Sequence, residues 1–338
     1  MASDHKGCPI LGEDPDDKRL VVYPIQDEEL WNMYKAAQQQ FWVPEEIDFS
    51  KDPSDYAKLK PAEQRILDYA LSFFAVGDGI ALENLAVNFM DEVKCKEARL
   101  FYAQQENMEG IHGETYSLMI HTVVKDEVKK AKLFDAIHTL KSVNLLIQWA
   151  KKWMNREIPF HTRLVAYVMY EGFVFSSKFA FIFYFKNGTD KNRLPGITKS
   201  NLFIARDEAA HEDFGVLIHK RLKHKCPPEV MHDMMKDLFD IDCEFVREAL
   251  PEPILGMNQE FMIDYMKSVA NKILRKLGAP HLFKVPPSNK VSEYMSSTLG
   301  AEVKTNFFEH RNHVYGRTLV RTDSDKADYT ADTEDIDF

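Results

Sequence analysis

Residues 106–116 read Glu-Asn-Met-Glu-Gly-Ile-His-Gly-Glu-Thr-Tyr, and residues 205–211 read Ala-Arg-Asp-Glu-Ala-Ala-His. Each stretch holds a Glu and a His three positions apart, Glu109/His112 and Glu208/His211. Residues three apart on an α-helix share a face, so each pair can offer an oxygen and an imidazole to one ion. Alone the pattern is weak. Chance placement of 26 Glu and 12 His over 338 residues gives about one such pair, and the chain has three. The third, Glu229/His232, follows Pro227-Pro228 at a helix start, where a Glu complements the helix dipole and Asp233 keeps the face polar; it reads as a solvated cap.

Two more acids raise the specificity of the first two pairs. Asp78 lies in Phe-Phe-Ala-Val-Gly-Asp-Gly-Ile and Glu171 in Tyr-Val-Met-Tyr-Glu-Gly-Phe-Val-Phe, both inside apolar helical runs where a lone acid is costly to bury. Along the chain the order is acid, pair, acid, pair, so each half supplies one carboxylate and one Glu-x-x-His. Four carboxylates offset two divalent cations, and carboxylate with imidazole suits iron or manganese. Buried salt bridges would need cationic partners, and the local helices supply few. A set of this kind from four helices is the known ligand template of ferritin-like di-iron and di-manganese bundles, here with Asp in one Glu position.

The rest of the chain agrees with an all-α, ferritin-like helical bundle around a di-metal carboxylate core. Only 14 glycines, about 4% against a usual ~7%, leave little turn chemistry for a sheet. Apolar periodicity predicts helices from an Asp27 cap to Pro44 with Trp42 at the end, from Pro61 to about Met90, and over about 96–124, 127–153, 162–186, 199–223, 228–250 and 257–276. Leu164–Phe185 is long enough to span a bilayer. Glu171 and Lys178 inside it would each cost about 2.5 kcal/mol or more at the centre, which favours a buried helix of a soluble protein.

The net charge of −10 excludes the clustered basic surface of a nucleic-acid binder. Four widely spaced cysteines suggest neither a disulfide framework nor a thiolate zinc site, and with a polar N-terminus lacking an apolar h-region they indicate a cytoplasmic protein. Residues 1–20 are expected to be flexible, 21–305 to form the bundle, and 306–338 to be a flexible tail. The last 18 residues carry seven acidic and two basic groups yet end in apolar Ile336 and Phe338.

Residues 106–118, 205–211, 41–48 (Phe-Trp-Val-Pro-Glu-Glu-Ile-Asp) and 304–309 (Lys-Thr-Asn-Phe-Phe-Glu) together resemble the eukaryotic-type small subunit of class I ribonucleotide reductase, from about residue 20 to the end. The resemblance implies an oxo-bridged pair of iron ions per chain, more readily than manganese, at Asp78, Glu109, His112, Glu171, Glu208 and His211. It makes Tyr116, one turn beyond His112, a radical-bearing tyrosine formed with dioxygen and an electron donor, in a pocket of Phe175, Phe179 and Ile204. Asp207 and Trp42 become a relay to His112, and Tyr315 the tail tyrosine that passes oxidising equivalents, with Tyr329 as its rival. Ile336 and Phe338 become the docking end for a separate large subunit that reduces ribonucleoside diphosphates, and a homodimer is implied. No nucleic-acid or membrane partner is expected. Two rivals keep the bundle: a di-iron or manganese–iron oxidase uncoupled from any reductase, which has no use for the apolar tail end, and an iron-storage or scaffold protein, which has no use for all six ligands and Tyr116.

Overall fold

A computed structural model describes residues 7–12, 20–84, 89–187 and 192–304, with the side chains of 78, 80–84 and 300–304 outside the description. The chain divides into two units, Met1–Ser296 and Ser297–Phe338; of the second, the described residues, 297–304, are helical. Tyr315, Tyr329, Ile336 and Phe338 lie outside the described residues. Among the described residues there is no strand, only one isolated bridge between Ile254 and Met257.

The first helix, α1 (Glu28–Gln39), is capped by Asp27, whose carboxylate accepts from the Leu30 amide. It stops earlier than the apolar stripe suggested. Trp42 therefore sits on the extended connector beyond it and not on its last turn. Pro61 opens α2 (Pro61–Asn84), its missing N–H costing nothing in a first turn, and α3 spans Lys96–Val123. Asp78 falls on α2; its side chain is outside the description.

The single helix expected over 127–153 is three pieces, with α4 (Glu127–Phe134), a turn at Ala136–Thr139, and α5 (Lys141–Trp153). Asp135 leaves helical geometry and binds His138 through its carboxylate, and Leu140 is extended, so the ladder breaks twice. Next come α6 (Phe160–Met169) and α7 (Phe175–Asn187), joined by a π-helical turn at Tyr170–Val174 that carries Glu171. By length and composition Phe160–Asn187 could cross a membrane, but 89% of its most apolar window is buried inside the protein.

Helices α8 (Pro195–Arg221), α9 (Pro228–Ala249) and α10 (Gln259–Lys276) follow, and α11 (Lys290–Lys304), which the periodicity did not predict. The start of α8 is fixed from far away. Asp52 is fully buried and accepts from the Gly196 and Ile197 amides at 3.0 and 2.8 Å, satisfying first-turn donors. Leu194, left-handed at φ 54°, is held there by a hydrogen bond from its amide to Asp55. Helices α2, α3, α8 and α6–α7 pack in a closed ring, α2 on α3, α3 on α8, α8 on α6 and α7, and α7 on α2. Ten of the thirteen side chains of α7 are buried, so it sits in the core of the ring and has no solvent face to speak of.

Part of the N-terminal stretch expected to be flexible is held in place. Cys8, Ile10 and Leu11 are buried, and the Ile10 carbonyl accepts from the Lys94 and Cys95 amides. All four cysteines are free.

Candidate metal centre

The ring of helices brings Glu109, Glu171, Glu208 and His211 together, each fully or almost fully buried, with one donor atom from each lying within 4.8 Å of all the others. His211 Nδ1 is 3.1 Å from Glu109, 3.3 Å from Glu208 and 3.8 Å from Glu171. His112 flanks the group, its Nδ1 3.1 Å from Glu208 and 3.6 Å from Glu109. The third pair does not join them. Glu229 is exposed on the first turn of α9, and His232 Nε2 bonds the Pro280 carbonyl.

The donor set fits a metal. Both oxygens of Glu109 and of Glu171, one of Glu208, and His112 Nδ1 are buried without a hydrogen bond, which is expensive unless something else satisfies them. Among the described residues no Lys or Arg forms an ion pair with any of the three glutamates, so buried salt bridges do not account for them. Burial and the charges of Glu208 and Glu109 push Glu171 well above the usual carboxylate range. Burial would raise Glu208 too, but the neighbouring Glu171 carboxyl and the two imidazoles hold it low. Burial opposes protonation of His112 and His211, yet the surrounding carboxylates raise both well above an ordinary imidazole. A field that draws protons so strongly also draws divalent cations.

On its outer side His112 is tied down. Nε2 is 3.2 Å from Asp207 Oδ2, and the same oxygen accepts from Trp42 Nε1 at 2.7 Å. Trp42 is buried and lies nearly parallel to the imidazole, centroids 6.1 Å apart. Arg206 completes the array, reaching Asp207 Oδ1 at 3.2 Å and the Gln40 carbonyl at 2.8 Å. With the proton on Nε2 directed at Asp207, Nδ1 presents its lone pair to the cluster.

Tyr116, one turn after His112 on α3, is fully buried. Its ring stacks on Phe74 of α2 with centroids 4.3 Å apart and planes 1° from parallel. Phe74 in turn meets Phe179 at 5.1 Å and Phe175 at 5.6 Å, so the two predicted pocket residues reach Tyr116 as a cluster gathered by Phe74. Ile204, one turn before Glu208, is buried as well. Phe74 is the residue the sequence reading missed in this pocket. The one available signal was that it lies one turn before Asp78.

Gly172 has a site-specific reason to be glycine. A Cβ there would lie 2.7–2.9 Å from the side chain of Glu212, itself buried and bound to Lys276 of α10 at 2.6 Å. That close approach clamps the π-helical turn bearing Glu171 against α8. π-turns of this kind frequently mark functional sites because they re-aim one side chain without ending the helix.

A family model of the ribonucleotide reductase small chain matches residues 19–290. The chain belongs to this family. It is 41% identical to the ribonucleoside-diphosphate reductase small chain of Variola virus over 317 residues, covering 94% of this chain and 97% of that one. To the rat ribonucleoside-diphosphate reductase subunit it is 40% identical over 327 residues, covering 96% and 82%. Among solved structures, a ribonucleotide reductase homodimer of Saccharomyces cerevisiae superposes with a TM-score of 0.73 at 26% identity, over 83% of this chain and 90% of that chain. A ribonucleotide reductase subunit of Clostridium botulinum shares the fold at a TM-score of 0.72 and 23% identity, over 81% and 89%. The ferritin-like bundle and a small-chain function follow from the family, and the buried Glu/His cluster is where a small chain of this kind can hold a metal cofactor.

Proposed function

We propose that this small chain holds two iron ions at Asp78, Glu109, His112, Glu171, Glu208 and His211 and uses them with dioxygen to generate and store a radical at Tyr116. The supporting observation is the convergence of three buried glutamates, five of whose six oxygens have no hydrogen bond, and two imidazole Nδ1 atoms one helical turn from a fully buried tyrosine. When bound, the iron pair supplies the reduction of dioxygen and the one-electron oxidation of the phenol. Iron is preferred over manganese on family resemblance, since both accept this donor set.

The chain's own residues do the rest. Asp207 fixes the His112 tautomer and, with Trp42, offers an electron a buried path inward from the connector after α1. Phe74, Phe175, Phe179 and Ile204 keep water and reductants from Tyr116. The tail would deliver the oxidising equivalent through Tyr315 to a separate large subunit, docked by Ile336 and Phe338, where ribonucleoside diphosphates are reduced. A cytoplasmic homodimer completes the reading.

Reconstitution with ferrous iron and oxygen tests it. The expected result is about two metals per chain and a tyrosyl EPR signal. A chain that binds metal but gives no radical would overturn the radical assignment. Removal of the last seven residues should spare the radical and abolish reductase activity with the large subunit; unchanged activity would favour an uncoupled oxidase.

A further inference from the structure

Glu109 and Glu171 share a neighbour type that the ligand pattern does not contain. Four positions before each stands a buried polar side chain: Gln105 on α3 with Glu109, 2% exposed, and Tyr167 on α6, just ahead of the π-helical turn that carries Glu171, 1% exposed. Gln105 Nε2 donates to the Tyr167 hydroxyl over 2.8 Å, so one buried hydrogen bond joins the two helices beside the cluster. The Tyr167 ring is seated edge-on against Phe89 with centroids 5.2 Å apart. Because Gln105 occupies an acceptor site of the phenol oxygen, the phenol proton remains to be donated elsewhere.

The acceptors are at hand. Both Glu171 oxygens are buried and carry no hydrogen bond; burial first, then the neighbouring carboxylates with Glu171 leading, keeps the Tyr167 phenol protonated and so able to donate. Burying a phenol and an amide costs free energy that two apolar residues would not. Here the two polar groups are already paired with each other, one turn before Glu109 on α3 and four positions before Glu171.

We propose that Tyr167, braced by Gln105, is a positioning residue for Glu171: its O–H donates to the carboxylate as the carboxylate turns toward it, fixing one oxygen and leaving the other for a metal. This rests on the reading of the cluster as a metal centre. It gives that centre a second anchoring arm across from the Asp207–Trp42 arm, which orients His112.

The test uses the full chain, anaerobically, with ferrous ion alone titrated in competition with a chromophoric chelator. Tyr167→Phe removes one oxygen and keeps the ring packing. It should weaken one of the two metal equivalents by on the order of tenfold to a hundredfold, the usual effect of losing a group that orients a ligand. Gln105→Leu, which touches no carboxylate, should weaken the same equivalent by a smaller factor and serves as the independent variant if the first aggregates. Wild-type affinity for both equivalents in either variant overturns the proposal. So does a fall in the melting temperature of the metal-free variants with no change in affinity, which would make the pair a packing element. A wild-type chain that binds no ferrous ion overturns the metal-centre reading first, and this inference with it.

Discussion

The two flanks of His112 are built from opposite materials. Outward, its Nε2 meets a chain of polar groups, Asp207, Trp42 and Arg206, that ends at a half-buried guanidinium and the Gln40 carbonyl. One turn along α3, Tyr116 has Phe74 stacked on it, with Phe175 and Phe179 behind. A hydrogen-bonded flank can conduct charge and hold a tautomer. An aromatic one excludes water. On the proposed reading one helix presents an inlet at His112 and a store at Tyr116 four residues apart, and the division of labour rests on side-chain chemistry more than on distance.

The largest effect is expected from removing the store. Tyr116→Phe should abolish the tyrosyl EPR signal while metal content stays at the wild-type level, because the phenol oxygen is the only atom lost. A persisting signal of tyrosyl type would move the radical elsewhere. Next, Phe74→Ala should destabilise the chain by about 3–5 kcal/mol, the usual cost of deleting a buried ring. It should also shorten the life of the radical through water admitted beside Tyr116. A calorimetric loss with an unchanged radical half-life would show that the stack is packing and no shield.

Helix existence was legible in the sequence because prolines and apolar stripes mark it: Pro61 opens a predicted helix, Pro228 opens another after the Pro227-Pro228 break, and the stripe over 199–223 falls largely within α8. The candidate ligands were legible because charged residues in apolar helices are conspicuous, and Glu109, Glu171, Glu208 and His211 do converge. What the sequence hid has three physical sources. The π-helical turn at Glu171 lies in a run apolar on every side, so no face signals the extra residue. The start of α8 is set by Asp52 from a distance of well over a hundred positions, which no local pattern contains. Phe74, Gln105 and Tyr167 matter through partners on other helices, and on α2, α3 and α6 spacing alone does not say which neighbour a side chain will meet.

The inlet is open to a finer test. Asp207→Ala should leave Trp42 Nε1 and His112 Nε2 without their shared acceptor and free the imidazole to turn. The expected loss is about tenfold to a hundredfold in ferrous affinity, or about 1.4–2.7 kcal/mol. Slower radical formation under limiting reductant should accompany it. If affinity falls and formation rate does not, the aspartate orients His112 but carries no electron, and the contrast between the flanks reduces to tautomer control.

The smallest effect separates conduction from anchoring. Arg206 contacts only the far oxygen of Asp207, at 3.2 Å, with its side chain 21% exposed. Water can replace part of what it gives, so Arg206→Met should cost about 1 kcal/mol or less in stability and under tenfold in metal affinity. Its effect on the rate of radical formation is the informative quantity. Asp207 would keep its hydrogen bonds to Trp42 and His112 through the other oxygen, so anchoring survives while the polar route to Gln40 is cut. A rate that falls by more than the affinity does would extend the inlet to the guanidinium. Equal, small changes in both would end it at Trp42, with Arg206 serving only to hold Asp207 in place.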